Sequence, residues 1–296
     1  MKLATKTLQA IENSIAIDQG NAYRKALGEV LPLITDAYRS DEAPFRTHMG
    51  ASGIGAECDR ELWYSFRWFL KPSFDGRILR LFNRGHLEEA HFIAMLLTAG
   101  YKVHQQDAYG NQYRITNHGG HFGGSCDGIV EGLPDIPEGR ACLLEFKTHN
   151  DASFRKLMDK GVEDSKPQHY IQMQMYMEGL NLDYALYMAV NKNDDRLHAE
   201  VVTRSGYTAE QFSNRAEKLI FATTPPERIN ESPSWYLCKW CAFNEICHKY
   251  ALPESNCRTC AYATAEPEGT WFCRYHDKAL NTDEQLAGCV SHDFLR

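Results

Sequence analysis

The stretch Gly124-Ser125-Cys126-Asp127-Gly128, followed after a loop by Leu144-Glu145-Phe146-Lys147-Thr148, decides how the rest of the chain is read. It sets an acid on one predicted strand, then an acid and a lysine in alternation on the next. Successive strand side chains point to opposite faces. Glu145 and Lys147 therefore share a face with Leu143, while Cys142, Leu144 and Phe146 share the other. Asp127 shares a face of its strand with Ile129 and Glu131, so register decides whether it meets Glu145. Two carboxylates and an ammonium at neighbouring strand ends can hold Mg²⁺ or Mn²⁺, hard cations that prefer oxygen ligands. Such an ion polarises a phosphate and helps to generate hydroxide. Lys147 would orient the attacking water or neutralise developing charge. Surface strands also alternate Glu and Lys, so this pattern by itself leaves the matter even.

The flanking segments supply more. Residues 75–97 predict an amphipathic helix with Leu79, Phe82, Ala90, Ile93 and Leu97 as its apolar stripe. His86 and Glu89 lie three apart on that helix and share a face; Arg84 beside them is a candidate substrate contact. A second helix starts near Pro167 and places His169, Gln172 and Tyr176 on one stripe, with Met173 and Met177 as core filler. Residues 184–190 and 197–203 read as strands and 208–222 as a helix, before Pro225-Pro226 breaks the pattern. Strands interleaved with helices predict an α/β core. Residues 1 to about 45 read as helical packing elements without a chemical motif. Ser52 is a candidate helix cap. The aromatic-rich residues 62–68 either stack bases of a single strand or pack into the core.

Composition sets the class. The chain has 296 residues, 43% hydrophobic and 24% charged, as expected of a globular protein with one full core and an added module. Its net charge of -7 counts against a simple non-specific nucleic-acid binder. It leaves a nuclease open, because bound cations restore local attraction for phosphate. No apolar run reaches the roughly 18 residues of a membrane span, and the first residues carry no signal-like apolar region. A cytoplasmic protein without membrane partners is expected. No Gly-x₄-Gly-Lys-Ser/Thr loop is present, so ATP-driven unwinding would come from another chain.

Four motifs occur in order: Gly85-x₃-Glu89, Gly124-x₂-Asp127-Gly128, Glu145-Phe146-Lys147 and Gln172-x₃-Tyr176. Their order resembles the PD-(D/E)xK nuclease superfamily, in particular its RecB-like and phage-exonuclease branches, over roughly residues 52–205. The resemblance implies a restriction-endonuclease-like core, a central mixed sheet flanked by helices. It implies Asp127 and Glu145 as metal ligands, Glu89 completing the acidic cluster, and Lys147 as the catalytic lysine. Gln172 and Tyr176 would help to position the lysine and DNA. RecB-like members often carry a histidine where this chain has Glu89, which keeps His86 as a reserve ligand. The implied activity is a metal-dependent DNA exonuclease of recombination, repair or phage DNA processing, acting on DNA and working with a separate helicase or single-strand-annealing protein. The rivals are a non-catalytic DNA-binding or assembly protein on the same scaffold, and an iron–sulfur electron carrier.

Ten cysteines without an export signal point to metal ligands rather than disulfides. Cys126 and Cys142 fall in apolar strand patterns and read as buried thiols. Cys238-x₂-Cys241-x₅-Cys247 follows the core and Cys58 precedes it. This split set resembles the iron–sulfur subset of the same nucleases and implies a 4Fe-4S cluster stapling the chain. Spacing alone equally permits a zinc site of Cys238, Cys241, Cys257 and Cys260. Under the first partition Cys257, Cys260, Cys273 and Cys289 remain for a zinc module, with His276 or His292 as substitute ligands. Such a short module needs a metal to fold. The expected organisation is a helical segment (1–50), a nuclease core (51–223), an iron–sulfur segment closing on Cys58 (224–252) and a zinc module (253–296).

Overall fold

A computed structural model describes residues 1–35, 38 and 45–295. In chain order the helices are α1 (Thr5–Ile17), α2 (Asn21–Val30), α3 (Asp59–Phe66), α4 (Gly76–Thr98), α5 (Asp151–Ser165), α6 (Pro167–Gly179), α7 (Gly206–Phe221), α8 (Asn244–Lys249) and α9 (Thr282–Ala287). The strands are β1 (Met49–Gly50), β2 (Lys102–His104), β3 (Arg114–Asn117), β4 (Phe122–Ser125), β5 (Gly128–Glu131), β6 (Ala141–His149), β7 (Tyr184–Asn191), β8 (Leu197–Thr203), β9 (Ala263–Ala265), β10 (Trp271–Cys273) and β11 (Lys278–Leu280). The helical reading of residues 36, 37 and 39–44 lies outside the described residues. Among the described residues no helix is long and apolar enough to cross a membrane.

The chain divides into two compact units: Met1–Glu42, Phe74–Ile115 and Ser125–Ala209 form one, and Ala43–Ser73, Thr116–Gly124 and Glu210–Arg296 the other. The first is built on a five-stranded sheet of order β2-β5-β6-β7-β8. It is mixed: β6 and β7 run parallel and the other neighbours antiparallel. A parallel pair requires a crossover, and α5 with α6 supplies it. One sheet face follows the predicted alternation. Cys142, Leu144 and Phe146 of β6 join Leu186, Met188 and Val190 of β7 against Ile11 of α1 and Ala90, Phe92 and Ile93 of α4. Phe92 stacks on Phe146 with ring centroids 4.8 Å apart. Asp75 caps α4 by accepting from Ile78 N at 2.8 Å. The buried stripe of α4 begins only at Ala90; Phe82, expected inside, is 40% exposed.

The opposite face is polar and still buried, with Glu145 and His149 on β6, Tyr187 on β7 and His198 and Glu200 on β8. α5 serves it through a kink. Gly161, at φ 76° and ψ 173°, interrupts the helix and turns Val162 N toward the Glu200 carboxylate, at 3.0 and 3.2 Å from its oxygens. A Cβ at Gly161 would stand 3.0 Å from Met1 Cβ and 3.1 Å from Glu200 Oε2. That backbone region is essentially reserved for glycine. Gly161→Ala is therefore expected to lower unfolding free energy by about 1–3 kcal/mol in denaturant titration, with an unchanged m-value.

In the second unit β1 pairs parallel with β4, and β9, β10 and β11 form an antiparallel sheet of order β11-β10-β9. One reading is corrected here and one open choice is decided. Cys58, not Ser52, stands at the N-cap of α3, because residues 51–55 turn before the helix begins. The aromatic run also belongs to the core: Trp63, Tyr64, Phe66 and Trp68 are all buried. Trp63 Nε1 donates to Ala222 O and Trp68 Nε1 to Arg46 O, at 3.0 and 2.8 Å. With their edges satisfied and their faces covered, these rings cannot stack bases.

Candidate active site

The polar face of β6 carries the acidic cluster, wholly within the first unit. The pairing of β5 with β6 ends at Gly128↔Leu144. Beyond it the Asp127 side chain continues the ladder, its Oδ2 accepting from Phe146 N at 2.7 Å. Asp127 lies in the bend before β5, not on a strand as its sequence pattern predicts. Gly128 forces that bend: its φ is +148°, and a Cβ there would meet His104 O at 2.9 Å. The tie to Phe146 N sets Asp127 between Glu145 and Lys147. Glu145 is fully buried, with Oε1 in an ion pair with Lys147 Nζ and Oε2 accepting from Gln172 Nε2 at 3.1 Å. The Lys147 side chain keeps 27% of its surface and lines a cavity.

The electrostatics bind these groups into one set. Burial, then Asp127 and Glu145, push the Glu89 carboxyl up to about 8 against the pull of Lys147. Burial and Asp127 raise Glu145 to about 7, again opposed by Lys147. Asp127 is raised by burial, while Lys147, Phe146 N and His86 pull it down. Three carboxyls thus contend for one ammonium; burial is the main reason their protons are held, and mutual repulsion adds to it for Glu89 and Glu145. Asp127 Oδ1 and both Glu89 oxygens make no hydrogen bond among the described residues.

His86 and Glu89 line two cavities at once. One, of about 260 Å³, continues to Ser125 and Asp127. The other, of about 300 Å³, continues to Leu81, Phe82 and Lys147. The exposed start of α4 thus forms a cleft wall. Of the remaining expected residues, Tyr176 is 2% exposed, and its hydroxyl is raised by burial, Glu145 and Asp127, which places it beneath the carboxyls. Arg84 turns away from the cluster and its Nη2 donates to Lys192 O at 3.5 Å.

A relay behind Lys147 escapes sequence reading. Tyr187 is in register with Glu145, and its hydroxyl bridges His149 Nε2 and His169 Nδ1, both at 2.9 Å. Ser153 Oγ meets His149 Nδ1 at 3.1 Å and accepts from Lys166 Nζ at 2.6 Å. Burial, then Lys166 and Lys147, lower His149 to about 4; burial, then Lys147, lower His169 to about 3. Both rings are neutral at pH 7, so the hydroxyl donates to one and accepts from the other. The available signals are the two-residue step from Lys147 to His149 and the place of His169 on the stripe with Gln172. Tyr187→Phe leaves two buried ring nitrogens without partners and is expected to cost about 1–3 kcal/mol of unfolding free energy.

Eight of the ten cysteines separate into two groups, both in the second unit. Cys58, Cys238, Cys241 and Cys247 line one cavity, and Cys257, Cys260, Cys273 and Cys289 another. Cys238 and Cys241 therefore do not meet Cys257 and Cys260 as the alternative zinc set requires. Cys126 and Cys142 are buried thiols, Cys126 pushed up to about 12 by burial. Among the described residues, no three His, Cys, Asp or Glu groups form a ready metal cage.

Comparison with family models gives no match, and comparison with curated proteins gives none. Among solved structures the chain is similar to SSO0001, at 16% identity and a TM-score of 0.42, over 78% of this chain and 96% of that one. It is similar to the alkaline exonuclease LHK-Exo from Laribacter hongkongensis, at 15% identity and a TM-score of 0.40, over 58% of this chain and 86% of that one. LHK-Exo in complex with dAMP matches at 16% identity and a TM-score of 0.43, over the same shares. At these scores the likeness decides neither fold nor activity.

Proposed function

We propose that the chain is a divalent-metal-dependent deoxyribonuclease that degrades DNA from its ends. The observation that carries this reading is the gathering of Glu89, Asp127 and Glu145 about one lysine, Lys147, with Glu89, Asp127 and Lys147 lining the cleft. All-oxygen donors with surplus negative charge fit Mg²⁺ or Mn²⁺. Glu89, Asp127 and Glu145 would hold the ion, with His86 in reserve. When bound, it would supply Lewis-acid activation of the phosphodiester and a lowered pKa for water.

The chain's own groups do the positioning. Phe146 N and Gln172 Nε2 fix one oxygen each of Asp127 and Glu145; Asp127 lines the cleft, while the second Glu145 oxygen is paired with Lys147. Lys147 Nζ is held by Glu145 and its side chain lines the cleft, where it would orient water or balance charge on the phosphate. Four thiols in each of two cavities suit, by donor type, a 4Fe-4S cluster at Cys58, Cys238, Cys241 and Cys247. The same reasoning assigns zinc to Cys257, Cys260, Cys273 and Cys289.

The test uses a linear duplex and a closed circle of the same sequence with Mg²⁺ or Mn²⁺. Mononucleotide release from the linear form alone is expected. Nicking of the circle at an equal rate would replace the end-dependent activity with an endonuclease, and no cleavage of either would remove the nuclease reading.

A further inference from the structure

Residues 76–87, about the first three turns of α4, contain no buried residue. Packing therefore does not explain what they carry. Phe82 is 40% exposed, and Phe74, just before the helix, is 51% exposed. The two rings meet edge to face with centroids 5.0 Å apart. Phe82 and Leu81 line the cavity that reaches Glu89 and Lys147, so the aromatic pair adjoins the acidic cluster. Arginines run beside it. Arg77, Arg80 and Arg84 are exposed and spaced by three and four, which makes them one stripe. Arg77 stands four residues before Leu81 and Arg84 three after it, so the stripe borders the same cavity wall. Among the described residues none of the three forms an ion pair; Arg84 donates to Lys192 O.

Residues 76–87 hold these three arginines and no acid, whereas the whole chain carries -7. Glu88, one turn on from Arg84, is the first acid inside the helix. A polyanion that is to reach the carboxyls past this net charge needs a local basic track. Unpaired guanidiniums and uncovered rings on one helix suit different parts of one ligand. A single strand of DNA offers both, phosphates for the arginines and base faces for the phenylalanines. A duplex keeps its base faces stacked inside and leaves the rings without a role. A protein partner packed on the rings would bury the arginines beside them, at a desolvation cost. From Arg77 to Glu89 the helix rises by about 18 Å, enough for more than one nucleotide.

We propose that this part of α4 leads a DNA strand, unpaired, to the acidic cluster, with its bases on Phe74 and Phe82 and its phosphates on Arg77, Arg80 and Arg84. This deepens, and rests on, the nuclease reading, and it gives the form in which substrate enters the site.

Anisotropy titration of a fluorescent single-stranded oligonucleotide, and of the blunt duplex it forms, tests this with Mg²⁺ and the full-length Glu145→Gln chain, in which cleavage is slow. The single strand should bind more tightly than the duplex. Adding Phe82→Ala or Phe74→Ala should weaken single-strand binding about tenfold, the scale of one lost stacked base, and leave duplex binding unchanged. Adding Arg77→Gln and Arg80→Gln together should lower the slope of log affinity against log salt by about 1.4, at about 0.7 per phosphate contact. All four side chains are exposed, so their replacement leaves the core intact. Preference for the duplex, or single-strand binding unchanged in either the phenylalanine or the arginine variants, overturns the proposal. So does a wild-type dimer that Phe82→Ala dissolves, because the rings then belong to a second copy. The nuclease reading fails separately, if the wild-type chain cleaves neither form of DNA whatever it binds.

Discussion

Lys147→Ala is expected to lower metal-dependent DNA cleavage by about 10³-fold, the loss typical of a group that balances transition-state charge. The reasoning is local. Lys147 is the ammonium that opposes the raised pKa of Glu89, Asp127 and Glu145 together, and its side chain lines the cleft. Removing it takes away a charge that acts on substrate and lets the carboxyls hold their protons more firmly. Those protons then compete with the metal for the same oxygens. The loss should fall on kcat more than on KM, because phosphate is also attracted by the bound ion. Lys147→Arg should recover little, since a planar guanidinium cannot repeat the compact ammonium contact with Glu145. Equal kcat values for wild type and Lys147→Ala would remove Lys147 from the mechanism.

The second large effect is on stability. Glu89, at about 8, and Glu145, at about 7, both lie above the ordinary carboxyl value of 4.5. The native state therefore keeps protons that the unfolded chain has released. Their contribution is intact below about pH 4.5 and is lost as pH rises toward 8. His149 and His169, lowered to about 4 and 3, act oppositely and remove stability as pH falls below 6.5. Metal-free protein should thus be most stable between these limits. Comparison of wild type with Glu89→Gln isolates the carboxyl part. The variant should gain on wild type between pH 5 and 8, by on the order of 2 kcal/mol or more. Mg²⁺ or Mn²⁺ should restore wild type at pH 8 and do little at pH 5. Parallel melting curves across this range would contradict the assignment of Glu89 to the cluster.

The parts of this fold that can be read without coordinates are those where one period or one spacing suffices. The alternation from Cys142 to Lys147 separates an apolar face from a reactive one because strand geometry permits nothing else. The helices around Glu89 and Gln172 are predicted by their apolar stripes and by Asp75 and Pro167 at their starts. Cysteine spacing allowed two partitions; in the fold Cys238 and Cys241 line one cavity and Cys257 and Cys260 another. Long-range register hides the rest. Tyr187 lies in a run that reads as plain apolar strand, and only pairing with β6 sets it beside Glu145. Asp127 leaves its predicted strand because Gly128 bends the backbone. The aromatics of residues 62–68 suit base stacking and core packing equally, and burial decided for the core.

The most direct measurement of the cutting centre is the single-turnover rate of nucleotide release from linear DNA with Mn²⁺, for wild type and Glu145→Gln side by side. Glu145→Gln keeps the size of a side chain that Lys147 and Gln172 both contact and removes only its charge. Rapid release by wild type and a rate at least about 10³-fold lower in the variant is the predicted result. Equal rates would place the chemistry elsewhere in the chain.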